Sequence, residues 1–154
     1  MQPQVTPFFH APTSTWSYVV RDPDSAAAAI IDPALDFDPA SGRVSTESAG
    51  KLLGYLREQA LNPAWILETH VHADHLTAAA WLKRHTGAQV AIGARMVEVQ
   101  RTFKALLNLD GDFVPDGSQF DALLADGDTL PLGALQVEAI ATPGHTPDGV
   151  SYRI

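Results

Sequence analysis

Glu68-Thr69-His70-Val71-His72-Ala73-Asp74-His75-Leu76 decides how this chain is read. Ala64 to Thr69 is a short apolar run suited to a buried strand. Leu76 to Thr86 has helical spacing, with Gly87 as its stop signal. In extended backbone, residues two apart project to the same side, so His70, His72 and Asp74 are expected to converge. His75 is expected to open the helix and point back at the same pocket. Each residue alone has a plain reading: a histidine hydrogen-bonded in a loop, or Asp74 capping a helix. Together they are harder to dismiss, because three adjacent imidazoles repel one another when protonated and need a shared reason to be neighbours. A metal ion is such a reason, held by neutral imidazoles and an ionised carboxylate.

A second histidine sits at another strand end, in Ala141-Thr142-Pro143-Gly144-His145-Thr146-Pro147. Pro then Gly at the centre of a four-residue turn suits type II geometry, which would fix the direction of His145. By itself a Pro-Gly-His turn is weak evidence for a ligand; beside the first cluster it gains weight. His10, in an N-terminal segment read as irregular, and His85, near a helix end where a cation is favourable, have no such company and are left out of the site.

Outward from these motifs the chain alternates strand and helix. Thr15 to Val20 and Ala26 to Ile31 read as strands around a turn, and Asp36 to Arg43 reads as a loop. A helix is expected from Ser45 or Thr46 to Ala60, with Ala49, Leu52, Leu53 and Leu56 on one face. Gln89 to Ile92 reads as a strand and Ala94 to Leu107 as a helix. Thr129 to Leu132 and Leu135 to Ala141 read as a hairpin, and Gly149 to Ile154 as a strand. The Asp-Gly pairs beginning at Asp110, Asp116, Asp126 and Asp148 are turn chemistry, without the ligand density of a calcium loop. This alternation predicts an α/β layered fold.

Composition narrows the chemistry. The chain has 154 residues, 45% hydrophobic and 18% charged, which fits one globular domain spanning 1–154. Ten Lys and Arg against 18 Asp and Glu leave a formal charge of −8, an unfavourable balance for a nucleic-acid partner. Cysteine is absent, so disulfides, thiolate nucleophiles and Cys-held metals are excluded and any metal falls to His, Asp or Glu. No membrane span and no export signal are visible, and a cytoplasmic protein is the expectation.

With these residues in view, His70-Val71-His72-Ala73-Asp74-His75 followed by Thr142-Pro143-Gly144-His145-Thr146 resembles the metallo-β-lactamase superfamily and its His-x-His-x-Asp-His hallmark. Ser14 to Tyr18, Ile30-Ile31-Asp32-Pro33, Glu68 to His75 and Asp116 to Asp121 resemble the persulfide dioxygenase branch and its bacterial β-lactamase hydrolase-like relatives. The resemblance implies an αββα sandwich with the metal at one edge of two sheets. In the dioxygenase branch it implies one Fe(II) held by two His and one Asp, with His70 and His145 matching the two His. His72, Asp74 and His75 are then supporting or vestigial. In the two-metal hydrolases, His70, His72 and His145 hold one Zn(II) and Asp74 with His75 the other.

The sequence departs from that family in lacking the later Gly-Asp-Thr-Leu-like segment with its carboxylate ligand and the strands and helices that follow. The expectation is an N-terminal half to two-thirds of the fold, marginal as a monomer, with a possible homo-oligomer. Three functions compete. The first is an Fe(II)-dependent dioxygenase acting on a small thiol or persulfide such as a glutathione derivative. The second is a glyoxalase II-like thioester hydrolase with one or two Zn(II). The third is an inactive or partner-binding fragment.

Overall fold

A computed structural model describes residues 2–154; the reading of the N-terminus for export signals includes Met1, which lies outside them. Strands β1 (Gln4–His10), β2 (Thr15–Arg21) and β3 (Ala27–Ile31) form an antiparallel meander. β6 (Asn62–Glu68), β8 (Gln89–Gly93) and β9 (Ala122–Leu124) extend it in parallel, giving a six-stranded sheet in the order β1-β2-β3-β6-β8-β9. A second sheet consists of β10 (Thr129–Leu132), β11 (Leu135–Ala141) and β12 (Val150–Arg153), all antiparallel. A small third sheet pairs β4 (Ala34–Asp38) with β5 (Arg43–Ser45) and with β7 (Leu76–Thr77). The helices are α1 (Glu47–Glu58), α2 (Ala79–Thr86) and α3 (Met96–Leu106).

Successive strand residues point to opposite faces, and the large sheet uses both. Val19, Ile30, Ile66 and Val90 pack under α1 and α2 against Leu52, Leu56 and Leu82. Their neighbours Val20, Ala29, Leu67 and Ala91 pack against Leu130, Leu132, Val137 and Ala139 of the second sheet. Each fully buried Leu, Ile or Val stabilises this stack by about 1.5–3 kcal/mol. The indole of Trp65 also donates to the Pro131 carbonyl across the two sheets (3.1 Å). Helices, sheet and sheet are thus three layers of the expected sandwich.

Four local expectations need correction. Residues 4–10 are not irregular: they pair with β2 along their whole length, and His10 is buried at the end of β1. Pro7 obscures the strand pattern but is tolerated there because β1 is an edge strand. Residues 36–43 are not one loop but belong largely to the β4–β5 hairpin. Strand β9 was not anticipated at all. The helix expected from Leu76 starts at Ala79, because Leu76 and Thr77 pair with β4 and the Thr77 hydroxyl accepts from the Ala79 N–H (3.0 Å). No helix among the described residues is long and apolar enough to cross a membrane.

Candidate metal centre

Strands β3, β6 and β8 run parallel and end together, where ligands commonly bind in open sheets of this kind. β6 stops at Glu68, so the hexad is not extended strand, as the sequence suggested, but a loop of bends. Convergence is produced instead by a carboxylate from the neighbouring strand end. Asp32, just past β3, takes a left-handed backbone (φ 48°). Its Oδ1 accepts from the Thr69 N–H and its Oδ2 from the Thr69 hydroxyl, both at 2.7 Å.

That arrangement assigns a tautomer. The single Thr69 hydroxyl proton goes to Asp32, so Thr69 Oγ1 must accept from His70 Nδ1 (2.9 Å). The Nε2 of His70 is left with a lone pair. Burial, reinforced by charge on His72, pushes the His70 pKa down and keeps the ring neutral. In His75, Nδ1 donates to the Leu76 carbonyl (2.9 Å), and the buried Nε2 has no hydrogen-bond partner.

His72 is the most constrained of the set. Its Nε2 lies 3.1 Å from both Asp32 Oδ1 and Glu68 Oε2, and its Nδ1 lies 4.0 Å from Asp74 Oδ1. Burial opposes a charge on this ring, but hydrogen bonds to Asp32 and Glu68 outweigh it and raise the pKa to about 10. Burial pushes Asp32 up, yet its bonds to His72 and Thr69 bring the carboxyl below its ordinary value. Glu68 goes the other way, raised by burial and by the nearby Asp32 charge, although His72 and the Thr77 hydroxyl bond to it. A ring that gives one nitrogen to carboxylates and turns the other outward is the usual support of a metal-bound histidine.

The second loop, residues 142–149, is closed by the Thr142 N–H on the Gly149 carbonyl (2.9 Å). Gly144 stays outside the positive-φ region, so the expected type II turn does not form; its N–H bonds to the Thr146 carbonyl instead (3.1 Å). The loop is fastened to the hexad. Asp148 Oδ2 accepts from the Val71 N–H (2.8 Å), Val150 N–H donates to the Thr69 carbonyl (2.9 Å), and the Tyr152 hydroxyl donates to the Glu68 carbonyl (2.8 Å). Gly93, ending β8, allows close approach here: a Cβ would stand 2.7 Å from Val150 Cγ1. This stitching brings the ring of His145 within 5.1 Å of His70, centre to centre.

All five residues singled out from the sequence therefore gather at one place. The ring of His70 is 4.1 Å from that of His72, and His72 is 4.2 Å from His75. His70, His72 and Asp74 offer ligand atoms within 4.8 Å of one another, as do Asp32, Glu68 and His72. His75 and His145 stand outside those tight groups. His10 is occupied with Thr13 and Asp36, while His85 bonds to the Trp81 carbonyl and stacks on its indole. Asp32, Glu68, Thr69 and Asp148 were not picked out as site residues. For Glu68, Thr69 and Asp148 the signal available was their position in or beside a histidine-bearing loop; Asp32 has no such neighbour in sequence. The donor set fits a metal ion: the free Nε2 lone pair of His70, the carboxylate of Asp74, one buried ring nitrogen of His75 without a partner, and His72, whose raised pKa means that ligation there releases a proton.

The family model for the metallo-beta-lactamase superfamily matches residues 10–154, and the chain belongs to that superfamily. Within it, the chain is 50% identical over 145 residues to a probable metallo-hydrolase of Burkholderia pseudomallei, covering 94% of this chain and 49% of that protein. It is 44% identical to a beta-lactamase hydrolase-like protein of Xylella fastidiosa (99% of this chain, 35% of that one) and 26% identical to the human mitochondrial persulfide dioxygenase ETHE1 (94% and 45%). The crystal structure of ETHE1 from Myxococcus xanthus superimposes with a TM-score of 0.70 at 27% identity, over 99% of this chain and 53% of that one. The chain thus spans about a third to a half of the length of these curated relatives.

Proposed function

We propose that this chain carries the metal-holding part of an Fe(II)-dependent dioxygenase acting on the persulfide of a small thiol, glutathione derivatives included. The observation that carries the reading is the meeting of His70 and His145, delivered from the ends of two different sheets to 5.1 Å. In support, Thr69 holds His70 in the tautomer that leaves Nε2 free, and Asp32 with Glu68 turns His72 so that Nδ1 faces Asp74. The likeness to a persulfide dioxygenase over 94% of the chain points the same way. A divalent ion bound there supplies Lewis acidity, and Fe(II) adds the capacity to activate dioxygen. The protein's own contribution is orientation: the buried carboxylates fix the imidazole planes, and the Asp148–Val71 bond fixes the distance between the two loops.

A second reading, a zinc-dependent thioester hydrolase, is favoured by one specific feature. Asp74 remains beside His72, and the buried Nε2 of His75 is unpaired, so residues for a second ion are in place. The relative of highest quoted identity is a probable metallo-hydrolase.

One experiment separates them. The full chain is loaded with Fe(II) or Zn(II), the bound metal is counted, and oxygen uptake with glutathione persulfide is compared with anaerobic hydrolysis of a glutathione thioester. One iron per chain with oxygen uptake is the expected result. Two zinc ions per chain with anaerobic hydrolysis would establish the second reading, and failure to bind either metal would remove both.

A further inference from the structure

A cleft of about 410 Å³ opens directly against His70, His72 and His75, within the usual range for small-molecule pockets. α3 contributes Met96, Val99 and Phe103 to its lining, at helical spacing on one face. Phe113 and Phe120, from the segment after α3, also line it. Of that helix face only Met96 is fully buried; Phe103 is 42% exposed, so the face borders open space rather than packed core.

Away from the histidines, the polar residues on the cleft are already engaged with protein. Gln100 and Gln119 bond to each other (2.7 Å), and Gln100 Oε1 also accepts from the Gly117 N–H (3.0 Å). Among the described residues no Lys or Arg lines the cleft, and the nearby Lys104 ammonium is bound to the Phe113 carbonyl. A carboxylate entering here would shed its water without meeting a cation, whereas hydrocarbon would gain burial.

We propose that this cleft receives an uncharged hydrocarbon group attached to the reacting sulfur, and that Val99 and Phe103 set its size. The proposal rests on the reading of the histidine cluster as the reaction centre, and adds to it a preference for thiol derivatives with an apolar substituent over glutathione itself. The cleft itself is testable without that chemistry.

The test is a fluorescence titration of the full chain with N-phenyl-1-naphthylamine, a neutral apolar probe, followed by displacement with 1-octanethiol or glutathione. Expected are saturable one-to-one binding, at least tenfold weakening by Val99→Trp and Val99→Asp, and displacement by octanethiol at concentrations at least tenfold below those needed for glutathione. Phe103→Ser, at a partly exposed site, serves the same purpose should the Val99 variants not fold. Val5→Asp, on the exposed strand face far along β1, is expected to leave binding unchanged. His145→Ala, outside the cleft lining, is expected to abolish metal binding and keep probe binding, so loss of the metal reading and loss of the cleft are told apart. Non-saturable binding, indifference to the wall variants, loss on Val5→Asp, or equal displacement by glutathione would overturn the proposal.

Discussion

Two loops carry histidines to the same point, and they are built in opposite ways. The loop after β6 is fastened from below: Asp32 and Glu68 sit under His72, Thr69 sets the His70 tautomer, and the His72 side chain is 7% exposed. The loop between β11 and β12 is fastened only at its ends, through Asp148 and the pairing around Val150, and leaves His145 exposed. The first loop therefore couples its geometry to the stability of the fold. The second presents a ring that can be removed at little structural cost. The contrast teaches that ligand-bearing residues need not be stability residues; the carboxylates behind them are.

Asp32→Ala is the sharpest way to break that contrast. It strips acceptors from Thr69 and His72 and leaves Glu68 alone with a buried imidazole, so a loss of about 3–5 kcal/mol is expected in urea unfolding. A loss under 1 kcal/mol would show that the first loop is held by something else. His145→Ala is the mirror experiment. Metal affinity, read by calorimetric titration, is expected to fall at least about 100-fold, the upper end for loss of a ligand's supporting partner. Its unfolding free energy should stay within about 0.5 kcal/mol of the parent.

Between these extremes lies the seam joining the loops. Asp148→Ala leaves the Val71 N–H without its acceptor, for an expected cost of about 1–3 kcal/mol. Gly93→Ala drives a methyl against Val150 and should cost a similar about 1–3 kcal/mol. Both are expected to weaken metal binding without touching an imidazole, and unchanged affinity in both would separate loop spacing from ligation. The smallest effect belongs to the surface. Lys83 bonds both oxygens of Asp121 at 2.6 and 2.7 Å, and this contact, aided by the Val90 N–H, holds the Asp121 carboxyl below its ordinary value of 3.8. Because the folded value is the lower one, the stabilisation is present above pH 3.8 and is lost as pH falls through the folded value. Lys83→Met should cost only about 0–1 kcal/mol at neutral pH, with the two melting curves converging in acid.

Much of the architecture was legible because its signals are local. The Leu52, Leu53 and Leu56 stripe marked α1, Gly87 marked the end of α2, and Gly133-Ala134 marked the β10–β11 turn. Elements whose own pattern is interrupted, as by Pro7 in β1, or whose pairing partner lies far away in sequence were harder to see. Residues 4–10 look irregular until β2 is placed beside them, and Leu76-Thr77 looks helical until β4 takes it. The same holds at the site: the histidines announce themselves by crowding, while Asp32 and Asp148 are ordinary turn residues by composition.

What the amino-acid order settled alone was the ligand chemistry. With no cysteine and a dense His/Asp run, a metal here has only imidazole and carboxylate to meet. What tertiary structure decided was which ring nitrogens of His70 and His75 are left without a partner and how far apart the rings stand. The state and orientation of a ring are set by its hydrogen-bond partners, and for His72 these come from two different strand ends. The separation of His70 from His145 is set by hydrogen bonds between residues some 80 positions apart, a relation that spacing along the chain does not encode.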